Sequence, residues 1–233
     1  AASRLDLTCN WFFQQAGSTA WFPATVPGCN FTDLFANGLI QDPMQADHES
    51  QLQWIEREDW VYRCEFQVTA AQLQSQSWQL EALGLDTFAD IYLNGQLLAS
   101  TDNMFVGYQL DCQSLLLAGS NLLQIYFHSP INRVKPMQLA SGMVYPAEND
   151  KSDDKLSVYV RKAPCHFGWD WNIAIAPLGL YGTIEIRKLD PARIEHVETE
   201  QLNHADGRVD LTVRATLYAS EPAVLPVHFE FEG

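Results

Sequence analysis

A chain of 233 residues, 47% of them apolar, can bury a sizeable core and has room for one large β domain or about a domain and a half. Its 14 Lys and Arg stand against 29 Asp and Glu, a net charge of −15 that repels phosphate backbones and anionic membranes. That balance argues against nucleic acid as a partner and fits a neutral or cationic substrate.

At the N-terminus, "AASRLDLTCNWFF" shows no charged region followed by an apolar one, so no signal peptide is visible. No apolar run along the chain reaches the roughly 18 residues of a membrane span. "NFTDLFANG" predicts one short helix, with Asn30 or Thr32 as its cap and Gly38 in the left-handed position past its end. In "WIEREDW", Glu56, Glu58 and Asp59 form the densest carboxylate cluster beside an aromatic. Two acids there could share acid and base work, but a polar turn before a strand is the stronger reading. "DWVYRCEFQV" alternates Trp60, Tyr62, Cys64, Phe66 and Val68 with Val61, Arg63, Glu65 and Gln67, the period of a strand with one buried face. "DIYLNGQLL" sets Asn94-Gly95 between apolar runs, a hairpin signal. "NLLQIYFHS" and "YGTIEIRKL" read as further strands. Many short strands separated by turn signals predict an all-β sandwich or jelly roll.

From Ser129 to Ser157 the pattern lapses into prolines and the polar run "AENDKSDDK", which predicts a long solvated loop. Asp150, Ser152 and Asp154 have the spacing of the first EF-hand ligands. Lys155 stands where that loop needs glycine, however, and Arg161 where it needs glutamate, so no calcium site is expected. Near "KLDPARIEHV" the pattern restarts. Val209, Leu211, Val213, Ala215 and Leu217 alternate, and Val227, Phe229 and Phe231 start another expected strand. The organisation expected is a domain over 1–190 followed by a second, partial β domain over 191–233.

Motifs for nucleotide or acyl chemistry are missing: there is no phosphate-binding glycine loop and no G-x-S-x-G elbow. His48, His128, His166, His196, His204 and His228 lack metal-ligand spacing, so no metal is expected. Cys9, Cys29, Cys64, Cys112 and Cys165 are odd in number and irregular in spacing. They favour free, mostly buried thiols and a reducing compartment over a disulfide framework or a zinc site, with one bridge left open. What remains is "CHFGWDWN", residues 165–172, where Phe167, Trp169 and Trp171 surround Asp170. Two readings stand open for it. One is a buried aromatic corner with Asp170 tied to backbone or to an arginine. The other is a sugar subsite, in which the carboxylate accepts bonds from neighbouring hydroxyls and the indoles stack on the ring.

The sequence also resembles the amino-terminal part of β-mannosidases of glycoside hydrolase family 2. The resemblance runs in order through "VPGCNFTDLFANGLIQDP", "QWIEREDWVYRCEF", "GLDTFADIYLNGQLL", "NMFVGY" and "RKAPCHFGWDWN", which together span most of residues 20–187. It implies a galactose-binding-like jelly roll, then the start of an immunoglobulin-like sandwich, belonging to a multidomain exo-glycosidase; the alternatives are a stand-alone carbohydrate-binding jelly roll or another family 2 activity such as β-galactosidase or exo-glucosaminidase. Both catalytic glutamates of such an enzyme lie in a (β/α)8 barrel that this chain does not reach, so no catalytic residue is expected in it. Trp169, Asp170 and Trp171 are implied to bind the terminal mannose of a mannose-containing oligosaccharide, with the domain packed on its own barrel. No cofactor is implied.

Overall fold

The computed structural model describes residues 4, 5, 7, 10–74, 77–143, 145–152, 154–189, 192–219, 222 and 224–230. Among these, fourteen strands and four α-helices follow in chain order. β1 (Arg4–Leu5), β2 (Trp11–Gln15) and β3 (Phe22–Ala24) precede α1 (Asn30–Ala36) and α2 (His48–Gln51). β4 (Trp60–Val68) leads through α3 (Ala70–Leu73) to β5 (Trp78–Leu83), β6 (Leu85–Asp86) and β7 (Phe88–Leu93). β8 (Gln96–Asp102), β9 (Gly107–Asp111) and β10 (Gly119–Phe127) are followed by α4 (Pro130–Ser141), then β11 (Gly179–Leu180) and β12 (Ile184–Lys188). β13 (Ala192–Asn203) and β14 (Val209–Ala219) come last.

The chain divides into two compact units between Lys188 and Leu189. In the first, a six-stranded sheet runs β3-β2-β4-β10-β7-β8 and a four-stranded sheet runs β1-β12-β5-β9. Both sheets are antiparallel. One apolar cluster draws on both: Phe13, Tyr62, Ile91 and Ile125 from the larger sheet, Trp78, Leu80 and Ile186 from the smaller. Each such side chain contributes about 1.5–3 kcal/mol of burial, and period-2 alternation aims it inward. Trp60, Tyr62, Cys64, Phe66 and Val68 are all buried, as their spacing requires. The fold is the expected β-sandwich. Asn94 and Gly95 both take positive φ, 53° and 77°, and close the β7–β8 hairpin as read from the sequence.

The second unit holds the β13–β14 hairpin, whose register slips once between Ile194 and His196. Residues 224–230 form no strand, contrary to expectation, and Phe231 lies outside the described residues. Alternation makes a segment suited to a sheet, but a strand also needs a neighbour to receive its hydrogen bonds.

Two further expectations are corrected. The cap of α1 is Cys29, one residue earlier than read: Thr32 Oγ1 accepts the Cys29 N–H at 3.1 Å, while Asn30 is spent elsewhere. The stretch after Ser129 is not all loop, because α4 forms at its start. Ser129 Oγ accepts the Asn132 N–H at 3.0 Å, Pro130 occupies the first turn, and Gly142 ends the helix at φ +62°. Pro136 masked these signals. Among the described cysteines, Cys29, Cys112 and Cys165 are free, as expected, and Cys64 is in the one bridge the sequence left open; Cys9 lies outside the described residues. Linear spacing carries no record of which chain segment a strand pairs with, and pairing sets Trp11 opposite Cys64.

Candidate functional site

The stretch 165–172 builds a small hairpin. Phe167 pairs antiparallel with Ala174, and Trp169 and Asn172 exchange backbone hydrogen bonds of 3.2 and 3.4 Å. Asp170 and Trp171 are therefore the two central residues of a tight turn. Phe167 is its anchor. It is buried in a second apolar cluster with Ile131 and Val134 of α4, Leu156, Val160 and Ala176. Gly168 has φ +107°, and a Cβ there would lie 2.7 Å from Lys151 Cγ, so only glycine lets Lys151 lie flat across the hairpin. Lys151 N–H donates to the Phe167 carbonyl at 2.9 Å and its Nζ to that of Asn172 at 3.2 Å.

The exit strand of the hairpin is held by three polar side chains from distant segments. Glu49 accepts the Ala174 N–H at 2.7 Å, Glu56 that of Ala176 at 3.0 Å, and Asn30 that of Leu178 at 3.1 Å. Burial raises the Glu56 carboxyl above its ordinary range, opposed by the bond from Ala176. Asp59 takes the Ser129 N–H at 2.6 Å and the Tyr126 hydroxyl at 2.8 Å. The "WIEREDW" acids thus sit in a turn before β4, as read. Glu56 and Asp59 are committed to organising neighbouring backbone and hydroxyl groups.

The tip is different. Trp171 is 69% exposed, Trp169 is half-buried, and their ring centroids lie 6.1 Å apart at 43°. Asp170 is exposed, and no described residue bonds or pairs with it. The buried corner, with Asp170 tied down, is not what forms. Nor do the indoles enclose the carboxylate within this chain; they flank it on an open tip. A carboxylate that can accept hydrogen bonds and two indoles that can stack thus stand at the tip of a base held by apolar packing and hydrogen bonds.

Beneath that base lie residues the sequence reading did not single out. Lys162 is buried and ion-paired with Asp86, and its Nζ also donates to the Pro177 carbonyl at 2.5 Å. His166 Nδ1 lies 3.8 Å from the same carboxylate. Lys162, His166 and Asp86 stand in the quoted segments "RKAPCHFGWDWN" and "GLDTF", but their partnership depends on contacts between distant segments. His166, Asp86 and Pro177 share with Cys29, Met104 and Tyr181 the lining of a cleft of about 390 Å3. Among the described residues, no group of three or more His, Cys, Asp and Glu is placed to hold a metal. Among the described residues, no helix is long and apolar enough to cross a membrane.

Burial and the Lys162 cation push the His166 imidazole down to about 4, against the favourable pull of Asp86. The unfolded ring, near 6.5, therefore binds more protons than the folded one between about pH 4 and 6.5. Stability should rise with pH through that window and level off above it. His166→Gln should flatten this part of the profile by roughly 1–3 kcal/mol, a figure reduced for the ring's partial exposure. Urea unfolding at pH 4.5 and 7 measures it; equal pH dependence in both proteins would refute the assignment.

Comparison with known proteins adds the context. The profile of the glycosyl hydrolase 2 galactose-binding domain-like family matches residues 11–182. The β-mannosidase of Mus musculus is 29% identical over 201 residues, covering 84% of this chain and 23% of that protein. The β-mannosidase B of Aspergillus terreus is 32% identical over 202 residues, with the same coverage. The crystal structure of a β-D-mannosidase from Dictyoglomus thermophilum superposes with a TM-score of 0.81 at 33% identity, covering 95% of this chain and 26% of that one. The chain spans about a quarter of the length of each of these relatives.

Proposed function

Since the chain belongs to the glycosyl hydrolase 2 galactose-binding domain-like family, we propose that it is the N-terminal part of an exo-acting, retaining β-mannosidase. Its role is to present Trp169, Asp170 and Trp171 to the terminal mannose of a β-mannoside held in the active site of a catalytic barrel. The domain packs on that barrel, which carries both catalytic glutamates. The observation that supports this most directly is the free carboxylate at the hairpin tip. Asp170 is exposed between two indoles and unclaimed by the described residues, while Glu56 and Asp59 nearby are spent on internal hydrogen bonds. A carboxylate with free lone pairs can accept two sugar hydroxyls, and flanking aromatic faces suit the C–H side of a pyranose. A net charge of −15 suits a neutral glycan.

Retaining hydrolysis needs two carboxyl groups roughly 5–5.5 Å apart across the scissile bond. The chain alone should therefore show no turnover of an aryl β-mannoside. The full-length parent should prefer that substrate at least about a hundredfold over the matching β-galactoside and β-glucosaminide, a margin worth some 2.7 kcal/mol in the transition state. A parent preferring either competitor would refute the mannoside reading. Turnover by this chain that survives stringent purification would refute the division of labour.

A further inference from the structure

We infer that Lys162 and Asp86 form a buried clasp that positions the Trp169–Trp171 tip, which makes them positioning residues for sugar recognition; the inference rests on the reading of that tip given above. The geometry of the base carries it. Lys162 stands just before the excursion that contains the hairpin, and Pro177 just after it. One ammonium group touches both ends: it belongs to the incoming segment and donates to the Pro177 carbonyl of the outgoing one at 2.5 Å. Its remaining partner, Asp86, lies on β6, and β6 pairs with β11 directly beyond Pro177. The excursion is thus closed at its neck and fastened to a strand of the domain. The side chains of Lys162 and Asp86 are 1% and 5% exposed, so water does not compete for these bonds.

The chemistry of a hidden ion pair explains why it should act on geometry rather than on stability. Desolvating two charges costs about as much as their attraction returns, and apolar groups of equal volume often do as well or better. What apolar groups lack is direction. An ammonium donating to a carboxylate and a carbonyl sets the angle at which two chain segments leave the domain. His166 lies only three residues before Trp169, and its Nδ1 is 3.8 Å from the same Asp86 oxygen that Lys162 grips, so the clasp sits directly under the start of the hairpin. Recognition by positioned groups is steep: a displacement of about 1 Å can cost on the order of a hundredfold in rate.

The test uses the full-length parent carrying Lys162→Met together with Asp86→Asn, which leaves no charge buried alone. The paired variant should keep its melting temperature within a few degrees. It should lose about tenfold to a hundredfold in kcat/KM for an aryl β-mannoside, with KM raised. Amide hydrogen exchange should quicken across residues 165–174 and stay unchanged in the sheets. Unchanged exchange across 165–174 overturns the clasp, whatever the kinetics. So does a variant that loses melting temperature throughout while its folded fraction keeps wild-type kinetics. If the paired variant does not fold, Asp86→Glu, which keeps the buried charges paired and moves the carboxylate by one methylene, is read by the same two measurements and should show smaller changes of the same kind. Asp170→Ala assayed in parallel separates the two claims. Wild-type kinetics in that protein refutes the sugar reading, and local exchange alone then judges the clasp.

Discussion

Asp170→Ala in the full-length parent should lower kcat/KM for an aryl β-mannoside by roughly tenfold to a few hundredfold while leaving the fold nearly intact. Each hydrogen bond to a charged group contributes on the order of 1.5–3 kcal/mol, and the carboxylate can make one or two with a sugar. The fold should survive because no described residue depends on Asp170: it is exposed, in a turn held by the bonds between Trp169 and Asn172. Part of the loss should fall on kcat, since contacts to sugar hydroxyls can strengthen as the ring distorts toward its oxocarbenium-like transition state. Asp170→Asn keeps the shape and one acceptor but not the charge, so it should lie between wild type and alanine. Kinetics and thermal melts on the same samples decide the matter. A well-folded Asp170→Ala enzyme with wild-type kcat/KM would end the reading, and a large fall in melting temperature would show that the residue has a structural partner after all.

The largest expected loss of stability lies some twenty residues earlier. Asp150 belongs to the acidic run that reads as a solvated loop, yet it is 3% exposed. One oxygen accepts the Ser152 N–H at 2.9 Å and the Ser152 hydroxyl at 2.5 Å, and the other accepts the Ser157 N–H at 3.0 Å. Asp150→Ala strips partners from two backbone donors, which costs about 2–4 kcal/mol once the loop has relaxed. For a chain of this size the melting temperature should drop by about 5–15 °C. Asp150→Asn should cost less, because it retains an oxygen acceptor. A melting temperature within a degree of wild type in the alanine protein would return this segment to the status of a plain solvated loop. The effect should also reach the hairpin, since the next residue, Lys151, spans Gly168 and bonds Phe167.

The sandwich was legible because its determinants are local and repeated. Alternation in residues 60–68, an Asn-Gly turn at 94–95 and strands at 119–127 and 184–188 each follow from side-chain period and backbone preference, and each is seen. The motif 165–172 was legible as a place where chemistry gathers, because aromatics around a carboxylate are unusual in any environment. Helix α4 was less so: its cap and stop signals are present in Ser129, Pro130 and Gly142, but Pro136 interrupts the pattern that would have joined them.

Which parts of that motif point inward was decided by the tertiary structure. Phe167 is buried because α4 and residues 156–160 come together above it, and Asp170 is free because the turn carries it beyond every described partner. The clasp of Lys162 with Asp86, the hold of Glu49 and Glu56 on the exit strand, and the bonded state of Cys64 all join residues far apart in the chain. Composition and periodicity report what a residue prefers as a neighbour: water, apolar surface or a turn. A charge that must be buried, or a donor that must be satisfied, is settled only by the particular group the fold brings within about 3 Å of it.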